Sequence, residues 1–314
     1  MPTTLLRYIL ICCCAAFLIY HLLISTTVFG KFQVLHSTNE TNATIADGNA
    51  TSEELPLLPS FINYWANYFV LPNQNLTACI IAKSMSQLTT NVMCYLYDSE
   101  AFLKNNQSFA DVPQLVSTSC GRDYIFRTFE ADQKLDAFMR RIVFIRDPFD
   151  RFISFYLNKC EHEKHCWNCN ADMRCVARTA YEKLSAIANS DVLPVPTYEE
   201  FHAAPMSWNC EFHRDLDKFE KVLIGPTIEE RAPAIAKFVD VLKQQNVSDD
   251  KIEFIKKNAL ASETIHGTYK SPVRRQAEEQ VKNDPIVRKY LHLMYLKDYE
   301  IFKLDRTPLD LKYR

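Results

Sequence analysis

The sequence predicts an α/β fold in which a central, mostly parallel sheet is flanked by helices. Two short apolar segments, residues 78–82 and 142–145, have the composition of buried strands. Each segment is followed at once by a cationic residue, a polar turn and an amphipathic pattern typical of a helix. A strand–turn–helix order that occurs twice favours parallel strands with helices packed against the sheet.

The unit that begins at residues 142–145 carries the stronger signal. Arg146 ends the predicted strand, Asp147 suits the N-cap of a helix, and Pro148 suits the first helical position, where its missing N–H costs nothing. Apolar residues then recur at helical spacing and predict a buried face of Phe149, Phe152, Ile153, Tyr156 and Leu157. The opposite, polar face would carry Asp150, Arg151, Ser154 and Asn158.

This unit predicts a binding site for an anion. The helix N-terminus offers unpaired N–H groups, and Arg146 adds a bidentate donor. Because Ser154 lies on the helical face of Asp147, roughly 10 Å along the axis, an anion that contacts Arg146 and Ser154 would lie along the helix flank. The alternative is an arginine that pairs with a carboxylate beside an exposed serine, and this stretch alone does not decide between the two.

The unit that begins at residues 78–82 has a similar arrangement around Lys83. Ser84 or Ser86 can cap the helix that follows. The apolar face of that helix comprises Met85, Leu88, Val92 and Leu96. A lysine beside hydroxyl and backbone N–H groups can bind a phosphate or a sulfate, and the alternative is a surface lysine after a strand.

Composition and glycine spacing exclude several classes of protein. The net charge of −2 gives no basic field for binding nucleic acid. No pair among the five glycines has the spacing of a dinucleotide-binding fingerprint or of a Walker A loop. The chain also lacks the signature set of a protein kinase, which argues against a luminal phosphotransferase.

The N-terminal part predicts a protein of the secretory pathway. We predict a cytosolic tail at residues 1–7, a transmembrane signal-anchor at 8–29, a glycosylated stem at 30–60 and a luminal domain at 61–314. A cleaved signal peptide is the alternative to the anchor. Glycosylation sequons stand at Asn39, Asn42, Asn49, Asn75, Asn106 and Asn246.

Cysteine usage agrees with an oxidising compartment. Eight of the eleven cysteines lie outside the apolar N-terminal segment, an even number that predicts disulfides. The alternative is a zinc site, with His162, His165, Cys166 and Cys169 as ligands.

The remaining patterns extend the same architecture. Residues 219–224 predict a further strand, and residues 228–245 and 251–260 predict helices. A short helix is expected at 132–141, and the helical region 272–304 should break at Pro285. Arg274 and Arg275, near the start of that region, could contact a nucleotide or an anionic glycan, and the alternative is a solvated basic helix face.

Together these motifs resemble the Golgi carbohydrate sulfotransferases, in the branch that includes the chondroitin and dermatan enzymes, over roughly residues 76–304. The most specific parts are the Arg146-Asp147-Pro148 turn with Ser154 eight residues after the arginine, and the Lys83 loop. Two weaker similarities involve His202, Pro205, Trp208 and Cys210, and further along Tyr295, Asp298, Tyr299 and Phe302.

The resemblance implies a P-loop-like sulfotransferase fold and transfer of sulfate from 3′-phosphoadenosine 5′-phosphosulfate, without a metal ion, to a glycan hydroxyl. It places the enzyme in the Golgi membrane as a single-pass type II protein, with a glycan or proteoglycan, such as chondroitin N-acetylgalactosamine, as its acceptor. The candidate catalytic residues are Lys83 and His202, the latter as general base. The alternative for His202 is a packing role beside Trp208, and the alternative bases are His162, His165, His213 and His266. The candidate donor-binding residues are Lys83, Ser84, Ser86, Gln87, Arg146, Ser154 and Arg274.

Three positions depart from the family pattern. Ala82 stands where many members have proline, Gln87 where serine or threonine is frequent, and Met206 where glutamine is frequent. The first two could weaken donor binding, and Met206 could alter acceptor recognition. These departures leave open a catalytically silent luminal glycoprotein that binds a glycan or a partner on the same fold, and the sequence leaves the oligomeric state open.

Overall fold

The computed structural model describes residues 55–111, 125–126, 139–261 and 268–314, which belong to one compact unit. The predicted tail and anchor, the stem sequons and His266 lie outside the described residues. None of the described helices combines the length and apolar character needed to cross a membrane. The described chain begins with residues that pack against the fold, because Leu58 is buried and its N–H donates to the Leu293 carbonyl at 2.8 Å.

The described strands form one mixed sheet in the order β3–β1–β2–β4–β5. They comprise β1 (Tyr68–Leu71), β2 (Leu76–Cys79), β3 (Ile125–Phe126), β4 (Arg140–Arg146) and β5 (Phe219–Ile224). Strands β2, β4 and β5 are parallel, as predicted, whereas β1 runs antiparallel to both β2 and β3. The sheet is therefore mixed, because β1 and β2 form a hairpin across a short turn that ends at Asn75.

Helices cover both faces of this sheet. They comprise α1 (Ser86–Tyr97), α2 (Ser99–Lys104), α3 (Pro148–Phe155), α4 (Met173–Ala188), α5 (Tyr198–Ala203), α6 (Phe212–Asp215), α7 (Ile228–Gln244), α8 (Asp249–Ala259), α9 (Arg274–Asn283) and α10 (Pro285–Ile301). On β4, Val143 and Ile145 face a core formed with α3, α4 and α10, while Ile142 and Phe144 face a core formed with α1, α7 and α8. Burial on both faces explains why the central residues 142–145 of this strand are all apolar.

Two predicted boundaries differ from the structure. Arg140 and Arg141 belong to strand β4 and not to the end of a helix, because their backbone pairs with the neighbouring strands. Strand β2 ends at Cys79, three residues earlier than expected, since the chain turns after Ile81, whose carbonyl accepts from the Ser84 N–H at 3.2 Å. The break at Pro285 is confirmed, with Asp284 capping α10.

Disulfides confirm the prediction from the cysteine pattern. Cys79 pairs with Cys210, Cys160 with Cys166, and Cys169 with Cys175. The zinc alternative is wrong, because Cys166 and Cys169 are each consumed by a disulfide. The first bridge joins the end of β2 to the segment that follows α5, and so it ties the Lys83 side of the fold to the His202 side.

Candidate active site

A cleft of about 1000 Å³, including the part open to solvent, lies at the carboxyl ends of β2, β4 and β5. Parallel strands end at the same edge of a sheet, so their following turns converge there. Lys83 reaches the cleft from the turn after β2, Arg146 from the end of β4, and Ile224 from the end of β5. The predicted site residues that line it are Lys83, Ser86, Gln87, Arg146, Ser154 and His202.

Arg146 offers a charged donor inside this cleft. The residue is 6% exposed, and its Nη1 donates to the Lys83 carbonyl at 3.4 Å. Its Nε is buried and has no hydrogen-bond partner among the described residues. Burial lowers the pKa of Arg146 to about 10, and the charge of Asp150 opposes this shift, so the guanidinium remains protonated at neutral pH.

The N-terminus of α3 differs from the predicted anion site. Asp147 is the N-cap, as expected, and its Oδ1 accepts from the N–H groups of Phe149 and Asp150 at 2.9 and 3.0 Å. The Tyr299 hydroxyl holds the other carboxylate oxygen at 2.7 Å. These N–H groups are therefore occupied, and an anion on this flank must rely on the side chains of Arg146 and Ser154.

The N-terminus of helix α1 differs from that of α3, because no side chain among the described residues caps it. The predicted serine caps are wrong, because Met85 occupies the N-cap with left-handed backbone and no side-chain cap hydrogen bond. Lys83 also has a positive φ of 65°, so the chain turns tightly before the helix. Ser86 becomes the first helical residue, and no side chain in the described part of the chain accepts from the N–H groups of the first turn.

The Lys83 ammonium group is surrounded by other polar groups at the base of this turn. Its Nζ donates to the Oδ1 of Asn158. Burial lowers the pKa of Lys83 well below its usual value, and the charge of Lys159 lowers it further, whereas Glu163 raises it. A lysine in this setting is poised to respond to an incoming anion, because a bound negative charge favours the protonated form.

The structure separates the other predicted donor ligands into two groups. Gln87 lines the cleft, and its buried Nε2 has no partner among the described residues. Ser84 does not line the cleft, since its buried hydroxyl points toward the Met206 sulfur at 3.9 Å. Met206 is itself fully buried beneath the loop, so its side chain is not placed to select an acceptor in this cleft.

Arg274 is buried, so the alternative of a solvated basic face is wrong for this residue, whereas its neighbour Arg275 is exposed. The residue is 5% exposed, and it pairs with Glu278 at 2.6 Å and with Asp150 at 3.4 Å. Its Nη1 is buried without a partner among the described residues, but the side chain does not line the cleft. Arg274 lies near Arg146, and its charge contributes to lowering the Arg146 pKa.

His202 lines the cleft with one ring nitrogen already committed. Its Nδ1 lies 2.6 Å from the Tyr198 carbonyl, which can only accept, so Nδ1 carries the proton and Nε2 keeps its lone pair. Burial, followed by the charge of Lys83, lowers the pKa of His202 to about 3. The imidazole is therefore neutral at physiological pH and has the form that a general base requires.

Arg151, which was predicted on the polar face of α3, connects the two sides of the cleft and is buried. It is 1% exposed, and its Nε donates to the Ala82 carbonyl at 3.0 Å. Its Nη2 donates to the His202 carbonyl at 3.2 Å. The Arg151 guanidinium thus joins the backbone of Ala82, next to Lys83, to the backbone of His202.

Comparison with known proteins identifies the family of this chain. The model of the sulfotransferase family matches residues 66–305. The chain belongs to the sulfotransferase family. Carbohydrate sulfotransferase chst-1 of Caenorhabditis elegans is 34% identical over 296 residues, which cover 90% of this chain and 89% of the relative. Putative sulfotransferase vep-2 of the same organism is 28% identical over 254 residues, covering 76% and 77%. No solved structure matches the chain significantly.

Four polar residues that line the cleft of this sulfotransferase were not among the predicted site residues, namely Arg231, Asn158, Lys159 and Thr268. Arg231 could have been found, because it lies in the helix of a third strand–turn–helix unit, in which Thr227 and Glu230 form a capping box. Helical spacing places Asn158 on the same face as Ser154, but it does not predict Lys159, because α3 continues as a π-helix over Tyr156–His162.

Proposed function

We propose that this sulfotransferase transfers the sulfuryl group of 3′-phosphoadenosine 5′-phosphosulfate to a hydroxyl group of a glycan. The observation that carries the proposal is the convergence of Lys83, Arg146 and Ser154 in one cleft. Family membership and the 34% identical carbohydrate sulfotransferase support the same chemistry. These three residues are also those on which the resemblance of the sequence to the family depends most strongly.

The two strand–turn–helix units suit the two anionic ends of the donor. Arg146 and Ser154 would bind the 3′-phosphate along the flank of α3. One donor would be the Arg146 Nε, which has no hydrogen-bond partner within the described ranges. Lys83 and the open first turn of α1, with Ser86 and Gln87, would bind the 5′-phosphosulfate. Ser84 and Arg274 would contribute indirectly, through the shape of the loop and through Asp150.

The cleft also has apolar lining residues of the kind that a purine base requires. They comprise Leu88, Phe109, Ile224, Ile228, Ala259 and Leu260. Arg231 also lines the cleft, and its Nη2 donates to the Pro226 carbonyl at 2.6 Å. A cleft lined by both apolar residues and cations fits a nucleotide, which has an apolar base and anionic phosphates.

The chemistry follows from the placement of Lys83 and His202. Sulfuryl transfer resembles phosphoryl transfer, in which the group passes in line between two oxygens while charge develops on the leaving phosphate. The bond from sulfur to the phosphate oxygen breaks, and a bond to the acceptor oxygen forms. Lys83 would stabilise the leaving phosphate, and Nε2 of His202 would accept the proton of the acceptor hydroxyl. This scheme requires no metal ion.

Binding of the donor would also adjust both groups for this work. The cations near His202 contribute to its low pKa in the free protein, with Lys83 the largest charge. The negative charge of a bound donor would offset those cations and raise the pKa of His202 and of Lys83 together. A stronger base and a protonated lysine would then be present at the same time.

We further propose a Golgi membrane enzyme of type II topology, anchored by residues 8–29 and with its catalytic domain in the lumen. The disulfides support an oxidising compartment. The sequon asparagines within the described fold, Asn75, Asn106 and Asn246, are all exposed at turns with positive φ. The proposed acceptor is a glycan or proteoglycan, with chondroitin N-acetylgalactosamine as the first candidate from the family resemblance.

The departures from the family pattern give little support to a silent binding protein. Gln87 supplies a buried nitrogen donor at the cleft, where serine or threonine would supply a hydroxyl. Met206 packs beneath the Lys83 loop, away from the cleft lining. Ala82 contributes its carbonyl to Arg151, which a proline at this position could also provide.

One assay tests the proposal. The purified full-length chain is incubated with radiolabelled 3′-phosphoadenosine 5′-phosphosulfate and a panel of desulfated glycans, beginning with desulfated chondroitin, and binding of adenosine 3′,5′-bisphosphate is measured in parallel. We expect nucleotide binding and transfer to at least one glycan. Absence of both would overturn the proposal, and nucleotide binding without transfer would favour the silent glycoprotein.

A further inference from the structure

Glu163 lies at the end of the π-helix that follows α3 and gathers three side chains. Its carboxylate accepts from Lys159 Nζ at 2.6 Å, from the Tyr198 hydroxyl at 2.8 Å and from Asn158 Nδ2 at 3.0 Å. Lys159 also contacts the Tyr198 hydroxyl and lies over its ring. Glu163 does not line the cleft, whereas Asn158 and Lys159 do.

We infer that Glu163 is a positioning residue that holds the Lys83 ammonium group in place through Asn158 and supplies its countercharge. This inference rests on the proposed function, in which Lys83 stabilises the leaving phosphate. Glu163 acts from outside the cleft, so it would influence the reaction without touching the donor or the acceptor.

The orientation of the Asn158 amide is the first step of the argument. An amide has a donating nitrogen and an accepting oxygen, and its direction is fixed when one of them has a partner that can play only one role. The Glu163 carboxylate can only accept when ionised, so it selects the Asn158 nitrogen. The Asn158 oxygen then faces Lys83, which can only donate.

The charges around Lys83 are the second step. Arg146 faces it from β4, Arg151 from α3 and Lys159 from the π-helix, and each of these cations lowers the Lys83 pKa. The neutral His202 ring faces it from α5. Glu163 is the carboxylate that opposes these cations and raises the Lys83 pKa. Removing its charge would therefore favour the neutral amine, which cannot stabilise a leaving phosphate.

The same carboxylate also reaches the second catalytic candidate. It holds the hydroxyl of Tyr198, whose backbone carbonyl accepts from His202 Nδ1. Tyr198 is the first residue of α5, so fixing its ring helps to fix the helix that carries His202. Glu163 thus links the lysine side and the histidine side of the cleft through side chains that sequence spacing does not bring together.

The test compares Glu163→Gln with Glu161→Gln in the full-length chain. Glu161 is a matched control, because it lies on the same π-helix but accepts from the Tyr156 hydroxyl at 2.8 Å, away from Lys83. The pH dependence of Lys83 acetylation by acetic anhydride, followed by mass spectrometry, reports the Lys83 pKa without any need for turnover. Sulfate transfer and binding of adenosine 3′,5′-bisphosphate are measured on the same samples.

In Glu163→Gln we expect the midpoint of Lys83 acetylation to move down by about one pH unit, because an opposite charge has been removed. Turnover at neutral pH should fall by roughly ten- to a hundredfold, with its alkaline limb displaced in the same direction, and nucleotide affinity should fall by a smaller factor, because Lys83 also contacts the 5′-phosphate. Glu163→Asp should restore part of the shift, and Glu161→Gln should match the wild type in all of these measurements.

An acetylation midpoint in Glu163→Gln that equals that of Glu161→Gln would overturn the inference. If Glu163→Gln does not fold, Asn158→Leu provides the second variant, and an unchanged Lys83 midpoint in it would also overturn the inference. A wild type that transfers no sulfate, but whose Lys83 midpoint depends on Glu163, would refute the proposed function and leave the link between Glu163 and Lys83 standing.

Discussion

Arg146 and Lys83 are 63 residues apart in the sequence, yet Arg146 Nη1 donates to the Lys83 carbonyl at 3.4 Å. The guanidinium proposed for the 3′-phosphate therefore also contacts the backbone of the loop proposed for the phosphosulfate. This contact follows from the sheet, since β2 and β4 are adjacent parallel strands that end at the same edge. In the proposed complex, the two ends of the donor would therefore be bound by parts of the protein that hold each other in place.

Arg146→Ala should weaken binding of adenosine 3′,5′-bisphosphate by roughly one to two orders of magnitude, because a buried, charge-assisted donor to the 3′-phosphate is lost. Isothermal titration calorimetry measures this directly. Arg140→Ala is the control, since Arg140 lies at the other end of β4 with its side chain 42% exposed and paired with Glu220. Equal affinities in the two variants would contradict the role given to Arg146.

His202→Ala should lower turnover by about 10²–10⁴-fold and leave nucleotide binding almost unchanged, because the imidazole acts on the acceptor hydroxyl. The comparison variant is His213→Ala, whose side chain is exposed on α6. Steady-state rates of sulfate transfer give the first quantity and calorimetry the second. A loss of nucleotide affinity as large as the loss of turnover would assign His202 a different role.

The pH dependence of kcat/KM for the donor should show an alkaline limb that belongs to Lys83. Burial and neighbouring cations lower the Lys83 pKa in the free protein. As pH rises, the active ammonium form is therefore lost at a pH lower than the ordinary lysine pKa of about 10.4. The limb for kcat should lie at higher pH, because the bound donor raises this pKa again. A single limb near 10.4 in both profiles would contradict the environment described for Lys83.

Arg151→Lys should destabilise the fold by about 1–3 kcal/mol and lower turnover, because a lysine cannot hold the Ala82 and His202 carbonyls together. Chemical denaturation gives the free energy of unfolding. Arg178→Lys, at an exposed position on α4, serves as the control and should be neutral. If Arg151→Lys also left stability and turnover unchanged, the hydrogen bonds from Arg151 to the Ala82 and His202 carbonyls would not be needed for the fold or for the reaction.

The parts of the site that sequence could predict are those governed by local rules. The apolar run of β4, the Asp147 cap and Pro148 at the first helical position depend on neighbouring residues alone, and all three are confirmed. The same rules applied to residues 219–231 would have indicated Arg231 as well.

The parts that sequence could not predict depend on packing between distant segments. Helical periodicity assigns Arg151 to the polar face, but the Ala82 loop and the His202 segment cover that face and bury it. Asn158 lies on the predicted polar face, but Lys159 lines the cleft where the helix widens into a π-helix, which the residue spacing does not predict. Strand β1 precedes the motifs found in the sequence, and it makes the sheet mixed because it pairs with β2 as an antiparallel hairpin.

The most direct test of the account is the transfer of radiolabelled sulfate to desulfated glycans by the wild type and by Lys83→Ala, with Lys104→Ala, an exposed lysine on α2, as the control. The account predicts transfer by the wild type and by Lys104→Ala, and a loss of about 10²–10³-fold in Lys83→Ala. Transfer by Lys83→Ala at the wild-type rate would contradict it.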